Sequence, residues 1–390
     1  MSTLVGNREP AFVGIGRTEF TLASGRSPLA LAAEAVRNAL GDAGLTPSDV
    51  DGIATFGIND TASTIQVANA LGIDDLPWAL DIYGGGNMAL SIVSYAADAI
   101  RAGTVRTVVL YRAFNGRSGQ RLGQAVETIA AGNPDLHFTL PQGYVVPPQF
   151  MAMWARRHQQ VYGSTCEDLG RIAVTQRAHA STNSHAIAQT PIDMEKYLAS
   201  RWINEPLRVF DCAYEVDGGV ALVLTSAERA RDTASTPVRV VGIAESHGHG
   251  GSWDQWPDPT TTFAARVAPR LWAQTSAVID GIDDIDVACI YDCFTYTVMT
   301  VLEDLGFAKK GEVGDFFAEG RATYGGDVVV NPNGGLLSEG YIHGMNTQYE
   351  AILQLRGKAG NRQVSHAQVA LVTSGAGPHG GAAIYVTGDK

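Results

Sequence analysis

The sequence predicts an α/β fold built from two similar halves. Three observations carry that expectation. The strand-like run Pro10-Ala11-Phe12-Val13-Gly14-Ile15-Gly16 returns as Pro237-Val238-Arg239-Val240-Val241-Gly242-Ile243-Ala244. A helix, an acidic turn and a short apolar run follow each other in both halves, which is how α/β units with parallel strands read in sequence. The chain's 390 residues exceed the usual size of one hydrophobic core, and its 44 glycines supply many tight turns.

Taken in order, Leu29, Ala32, Ala33, Val36 and Leu40 recur at helical spacing and mark one apolar face. That helix ends at Asp42-Ala43-Gly44, where Gly44 can take the left-handed conformation of a C-terminal cap. Thr46-Pro47-Ser48-Asp49-Val50-Asp51 then leads into the apolar run Gly52 to Phe56. From 115 to 205 the α/β rhythm breaks: Pro141, Pro147 and Pro148 precede helical stretches near 149–162 and 166–181. This segment reads as an inserted, largely helical subdomain. The chain returns through Asp217-Gly218-Gly219, a glycine turn feeding the buried strand Val220 to Leu224. Arg229 to Thr236 links the halves, dividing the chain into 1–236 and 237–390. In the second half a helix from Leu271 to Ile279 leads to Asp283-Asp284-Ile285-Asp286 and the run Val287 to Ile290.

Net charge is −12, which argues against nucleic acid as a partner. Positive charge for an anionic ligand must therefore be local, and Arg156, Arg157, Arg171 and Arg177 in the inserted segment are candidates. Cys166, Cys212, Cys289 and Cys293 show no Cys-x-x-Cys spacing and read as free thiols of a reducing compartment. No signal-peptide core or run of about 18 apolar residues occurs, so a cytoplasmic protein without a membrane anchor is expected. His247-Gly248-His249-Gly250-Gly251 lacks a third ligand nearby, and no metal is expected. Trp253 and Trp256 follow it, either in an ordinary surface loop or as a wall of an apolar pocket. Gly84-Gly85-Gly86 has neither the spacing nor the lysine of a nucleotide loop.

Several segments, in this order, resemble the thiolase superfamily along essentially the whole chain, and its sterol-carrier-protein-type branch in particular. They are Ala43 to Asp51, Asp217-Gly218-Gly219-Val220-Ala221, Asp292-Cys293-Phe294-Thr295 with Leu302 to Phe307, Asn331 to Gly340, and Thr373-Ser374-Gly375-Ala376-Gly377. The resemblance implies a thiolase fold: two pseudo-repeated α/β halves in a five-layer α-β-α-β-α arrangement, with the inserted loop domain covering CoA. The catalytic positions differ. Counting back from Arg101-Ala102-Gly103 places Gly86 where thiolases carry the acylated cysteine. Tyr341 stands for the histidine of Gly-His-Pro-x-Gly, Tyr291 for the first residue of Asn-Glu-Ala-Phe or His-Asp-x-Phe, and Thr373 for the second cysteine.

A thiolase needs an activated nucleophile to hold an acyl group, and Gly86 offers none. Tyrosine at both substituted positions is similar to the lipid-transfer-protein-type steroid side-chain aldolases. That resemblance implies retro-aldol cleavage of a 17-hydroxy steroid side-chain acyl-CoA to a 17-ketosteroid, such as androstenedione, and propionyl-CoA. It also implies a CoA thioester as substrate with no further cofactor, and a homodimer core. The core would be flanked by a small OB-fold partner, free-standing or belonging to a hydratase. Tyr291 and Tyr341 are the candidate acid and base, in either order. Gly86 and Gly375 are candidate backbone donors to an oxyanion, because glycine lets the backbone approach closely. His343 and His379 are candidates to tune the phenols, whose ordinary pKa near 10 is too high for a base at neutral pH. Asp292 orients a partner or caps the helix beginning near Thr295; Tyr296 reads as packing. Two other functions compete: a non-catalytic acyl-CoA-binding scaffold for the OB-fold partner, and an acyltransferase with an unusual nucleophile.

Overall fold

The computed structural model describes residues 8–119, 121, 136–247 and 253–388. The first half runs β1 (Pro10–Arg17), α1 (Pro28–Ala43), β2 (Gly52–Gly57), α2 (Thr64–Leu71), β3 (Trp78–Tyr83), α3 (Ser91–Ala102) and β4 (Thr107–Asn115). An excursion carries α4 (Pro147–Tyr162), α5 (Cys166–Ala180) and the hairpin β5 (Trp202–Asn204) and β6 (Leu207–Arg208), before β7 (Asp217–Ser226). The second half begins β8 (Val238–His247), α6 (Phe263–Thr275), β9 (Val287–Cys289), α7 (Thr295–Leu305) and β10 (Val329–Val330). It finishes with α8 (Gly335–Ser338), α9 (Met345–Leu355), β11 (Val369–Ala376) and β12 (His379–Thr387).

Local chemistry sets the helix ends. Ser27 accepts a hydrogen bond from the Ala30 amide at the start of α1, Pro28 opens the first turn, and Gly44 closes it at φ 70°. The helix expected from Leu271 to Ile279 instead spans Phe263–Thr275 and contains Pro269. Proline reads as a breaker in sequence, but α6 tolerates it; the helix is started by Thr262, whose hydroxyl accepts from the Ala264 amide.

The sheet order is β10-β9-β11-β12-β8-β1-β7-β4-β2-β3. Numbered within its own half, each set of five strands runs first, fifth, fourth, second, third outward from the centre. The echoed segments of the sequence, β1 and β8, meet antiparallel at the seam through Ala11↔Arg239 and Phe12↔Val238. Outward from there, β2–β3 and β2–β4 pair in parallel, as do β9–β10 and β9–β11.

Buried side chains divide into three layers of core. One lies between α1, α2 and the first half's sheet, around Val13, Val36, Val67 and Tyr111. A second is central: α3 and α9 meet strands of both halves through Phe12, Ile92, Leu110, Ile352, Val372 and Tyr385. The third packs α5, α6 and α7 on the second half through Ile172, Leu271, Val298 and Ile384. Helix, sheet, shared helices, sheet, helix is the five-layer arrangement.

Phe12 joins these parts, since its ring meets Tyr385 edge-on at 5.0 Å beside the seam. Phe12→Ala should cost about 3–5 kcal/mol in urea unfolding; a loss below about 1 kcal/mol would show that the seam does not govern stability.

Candidate active site

Each loop of the site is held by its own buried polar anchor. After β9 the chain turns through Ile290 and Tyr291. The Asn331 side chain clamps Ile290 on both sides, accepting from its amide at 2.7 Å and donating to its carbonyl at 3.0 Å. The hydroxyl of Thr373, at the position of the second thiolase cysteine, accepts from the Tyr291 amide at 2.8 Å. That hydroxyl tethers the tyrosine that follows the neighbouring strand β9.

The turn Gly340 to Gly344 is gripped at its start by Glu339. This buried carboxylate accepts from Arg17 at 2.7 Å, Asn183 at 3.1 Å, Asn333 at 2.6 Å and Asn346 at 2.8 Å. Asn346 also donates to the Gly340 carbonyl at 3.0 Å, and the Tyr341 amide donates to the Tyr214 carbonyl. Within the turn Gly340, His343 and Gly344 have φ of 143°, 48° and 83°. His343 is held in a left-handed conformation that a side chain rarely adopts, which costs of order 1 kcal/mol and aims its ring inward.

These anchors bring the two phenols together. Tyr291 Oη and Tyr341 Oη lie 2.6 Å apart, both side chains are buried, and their rings meet edge-on at 6.1 Å. Beneath them is Gly86. A Cβ built there would lie 2.1 Å from Tyr291 Oη, and one on Gly344 would lie 2.8 Å from Tyr291 Cδ2. The phenol of Tyr291 occupies the space that a cysteine side chain at 86 would fill. Gly375, at φ 86°, closes on the same loop, its would-be Cβ 3.1 Å from the Asn87 Cα. Gly86, Gly375, Tyr291, Tyr341 and His343 therefore converge.

The remaining candidates fall elsewhere. Asp292 is buried and accepts from the Leu336 and Leu337 amides at 2.8 and 3.2 Å, so it caps α8 rather than the helix that begins at Thr295. His379 opens β12 opposite His247 on β8, at the half-exposed end of the hairpin. Tyr296 is a packing residue whose hydroxyl donates to the Pro259 carbonyl. Arg171 pairs with Asp168, and Arg177 is buried against Ser338 Oγ at 2.9 Å. Arg156 and Arg157 line a cavity of about 440 Å³ with Gln142, Tyr144, Met153 and Asn204, Arg156 also reaching Glu205 at 2.8 Å. Trp253 forms an aromatic cluster with Phe150 and Trp154 beside the Gly377 turn, whereas Trp256 is buried. His249 lies outside the described residues; among those described, no group of three or more His, Cys, Asp or Glu is placed to hold a metal ion.

Burial dominates the site's electrostatics. It drives the pKa of both phenols upward; for Tyr291 the neighbouring Tyr341 adds to the rise. Burial pushes the Asp292 carboxyl up to about 7 against its two amide bonds. Burial first, and Arg112 second, push His343 down to about 3, so its imidazole is neutral. All four cysteines are free, and burial raises each thiol, Cys293 to about 12, so none supplies a thiolate.

Sequence reasoning missed two residues. Arg112 Nε and Nη2 donate to His343 Nδ1 at 3.2 and 3.1 Å, and Nη2 meets Asp60 Oδ2 at 2.6 Å. An arginine inside the apolar strand Val108-Val109-Leu110-Tyr111-Arg112-Ala113-Phe114 was the available signal, since a buried charge demands partners.

Fold and site together define a thiolase-fold protein with a buried phenol pair seated on Gly86. The description "Thiolase C-terminal domain-like" matches residues 244–389. The chain is 43% identical over 385 residues to the 17-hydroxy-3-oxo-4-pregnene-20-carboxyl-CoA lyase of Mycobacterium tuberculosis, covering 95% of this chain and 97% of that protein. It is 44% identical to the steroid side-chain-cleaving aldolase of Thermomonospora curvata, over 97% of each. A solved structure of an Ltp2-ChsH2(DUF35) aldolase superposes with a TM-score of 0.91 at 42% identity, over 99% of this chain and 100% of that one. The chain belongs to the steroid side-chain-cleaving aldolases of the thiolase superfamily.

Two measurements test this geometry. Gly86→Ala should destabilise by about 1–3 kcal/mol through collision with the phenol, and in the Gly86→Ala/Tyr291→Ala double variant that penalty should largely vanish. Additive losses in thermal unfolding would refute shared space. His343 protonates in the unfolded chain near pH 6.5 but in the fold only near 3. Its stabilising share is therefore present above pH 6.5 and is lost as pH falls through that window, by up to about 1.4 kcal/mol per unit. NMR titration should find the ring neutral at pH 4.5.

Proposed function

We propose that this chain cleaves a steroid acyl-CoA bearing a tertiary 17-hydroxyl, by a retro-aldol reaction, to a 17-ketosteroid of the androstenedione type and propionyl-CoA. The observation that carries this reading is the phenol pair seated on Gly86: two proton-transfer groups where a thiolase would hold its acylated sulfur. Such a reaction needs no covalent intermediate. The hydroxyl proton passes to one phenol's oxygen and the carbon–carbon bond breaks. Its electron pair spreads into the thioester as an enolate, and the α-carbon takes a proton from the other phenol. Tyr291 and Tyr341 are the residues assigned to these transfers. The amides of Gly86 and Gly375 are assigned to the enolate oxygen, a class of donor whose removal typically costs about 3 kcal/mol. Asp292 supports through α8, His343 lies against Tyr341, and the backbone of His379 packs against Gly375.

In this reading the halves are 1–236 and 237–390, with the excursion at about 115–205 covering CoA, and the thioester is substrate with no added cofactor. Arg156 and Arg157 are the arginines best exposed to meet its phosphates. The ChsH2(DUF35) component named with the solved relative supports an OB-fold partner chain for this protein. The outer edge of β3, where Tyr83 is 74% exposed, supports a homodimer formed by edge pairing with a second copy. A cytoplasmic site of action belongs to this reading; among the described residues no helix is long and apolar enough to cross a membrane.

Tyr291→Phe/Tyr341→Phe should abolish cleavage of a 17-hydroxy steroid thioester, assayed with an OB-fold partner present, while complex formation persists. Unchanged turnover would reject the function. Mass spectrometry after incubation with labelled acyl-CoA should find no acyl-protein; an adduct would favour acyl transfer. Light scattering should return twice the mass of one chain, and a monomer would remove the dimer from the reading.

A further inference from the structure

The phenol pair is complete before any ligand arrives. Thr373 tethers the Tyr291 amide, the Asn331 clamp fixes Ile290 before it, and the Tyr341 amide is tied to the Tyr214 carbonyl. Neither hydroxyl waits for a substrate group to place it, since each already has the other at 2.6 Å. The glycine turns are equally ready. Gly86 lies against the Tyr291 phenol, and Gly375 closes on Asn87, the next residue along. The α-carbon of a thioester needs a proton carrier and donors for its oxygen, and both are assembled in the free protein. A 17-hydroxy steroid adds a bond to break but no group that the pocket lacks.

Two further features decide what such a pocket does to a simpler thioester. One hydrogen bond joins the two oxygens, so a single missing proton is shared, and either phenol becomes the phenolate by one hop. Whichever oxygen faces the α-carbon can therefore meet it as a base without a preceding cleavage step. Nothing in the pocket captures the acyl group either. Position 86 has no side chain, and Thr373 Oγ1 already accepts from the Tyr291 amide. The thiol beside the pair, Cys293, is kept protonated by burial and meets Thr297 Oγ1 at 3.5 Å. Because the two phenol oxygens touch, they approach a bound substrate from one side.

We propose that the chain has a second activity, the reversible enolisation of saturated acyl-CoA thioesters such as propionyl-CoA, with no ketosteroid present. It rests on the retro-aldol reading, which supplies the thioester's place beside the pair. A phenolate oxygen takes one α-hydrogen as a proton. The carbon–hydrogen electron pair moves into the thioester, whose oxygen becomes the enolate oxygen, held by the amides assigned at Gly86 and Gly375. The new phenol trades its proton with solvent, to which Tyr341 keeps 9% of its surface open. It then returns a solvent hydrogen to the α-carbon, and the phenolate is restored. Atoms and charge balance, and water is the only co-reactant. The same oxygen removes and returns the hydrogen, so the cycle requires no fixed division of labour between the phenols. Since the pair works from one side, the hydrogen returns to the position that it left. Only one of the two α-hydrogens of propionyl-CoA is exchanged.

Deuterium measures this. Propionyl-CoA is incubated in deuterium oxide with the chain and an OB-fold partner, without steroid, and followed by mass spectrometry and proton NMR. One deuterium per molecule is expected at the α-carbon, with the β-methyl unlabelled. In Tyr291→Phe/Tyr341→Phe the labelling rate should fall by about a hundredfold or more, the usual contribution of acid–base groups. If that variant fails to assemble, the number of exchanged α-hydrogens decides alone. Labelling that persists in an assembled double variant, or that reaches both α-hydrogens at equal rates, would overturn the proposal. So would labelling confined to incubations that contain the 17-ketosteroid. A protein that cleaves the 17-hydroxy steroid thioester yet leaves propionyl-CoA unlabelled overturns the proposal and keeps the functional reading. One that does neither removes both together.

Discussion

The hydrogen bond between Tyr291 and Tyr341 constrains most of what surrounds it. Two buried phenols 2.6 Å apart must each be satisfied, and each can serve the other. Holding them so requires one loop tied by Asn331 and Thr373, a second gripped by Glu339, and a floor of glycine. Loosening any of these would leave a buried hydroxyl without a partner, at a cost of about 1–3 kcal/mol. The strained φ of His343 is tolerated because hydrogen bonds to its ring and to the neighbouring carboxylate over-determine the turn.

The same pocket can be viewed as a replacement of chemistry by geometry. A thiolase places a nucleophile at the mouth of a helix and activates it with a base. Here an aromatic hydroxyl, that of Tyr291, fills the volume that a side chain at Gly86 would need. Thr373 fits the same geometry, since its hydroxyl anchors the amide of Tyr291. Burial then keeps the four thiols protonated, so the pocket offers proton transfer and polar backbone without a competing thiolate.

Much of this was legible in the residues. The echo of Pro10–Gly16 in Pro237–Ala244 marked the two strands that meet at the seam, and Gly44 marked the end of α1. Tyr291, Tyr341, Gly86 and Gly375 were recognisable because local motifs fixed their positions. His379 opens β12 with its backbone against Gly375, a placement that a glycine-rich turn does not reveal in sequence. Asp292 was ambiguous between two helices, and only the fold chose α8. Asp60 and Arg112 went unseen because their link to His343 spans 231 positions between β4 and a distant turn. No local pattern records such a meeting; a charge in an apolar strand announces only that some partner exists.

The working parts are shared unequally between the halves. Both phenols, their anchors and His343 come from the second, while Gly86, Arg112 and Asp60 come from the first. The two halves share one strand order yet contribute different parts, and neither alone holds the whole cluster. Their junction is the short contact of Ala11 and Phe12 with Arg239 and Val238, backed by the common helical layer. A slip along that junction would carry the guanidinium of Arg112 and the floor of Gly86 away from the phenols together, so the fit of one half against the other sets the geometry of the cluster.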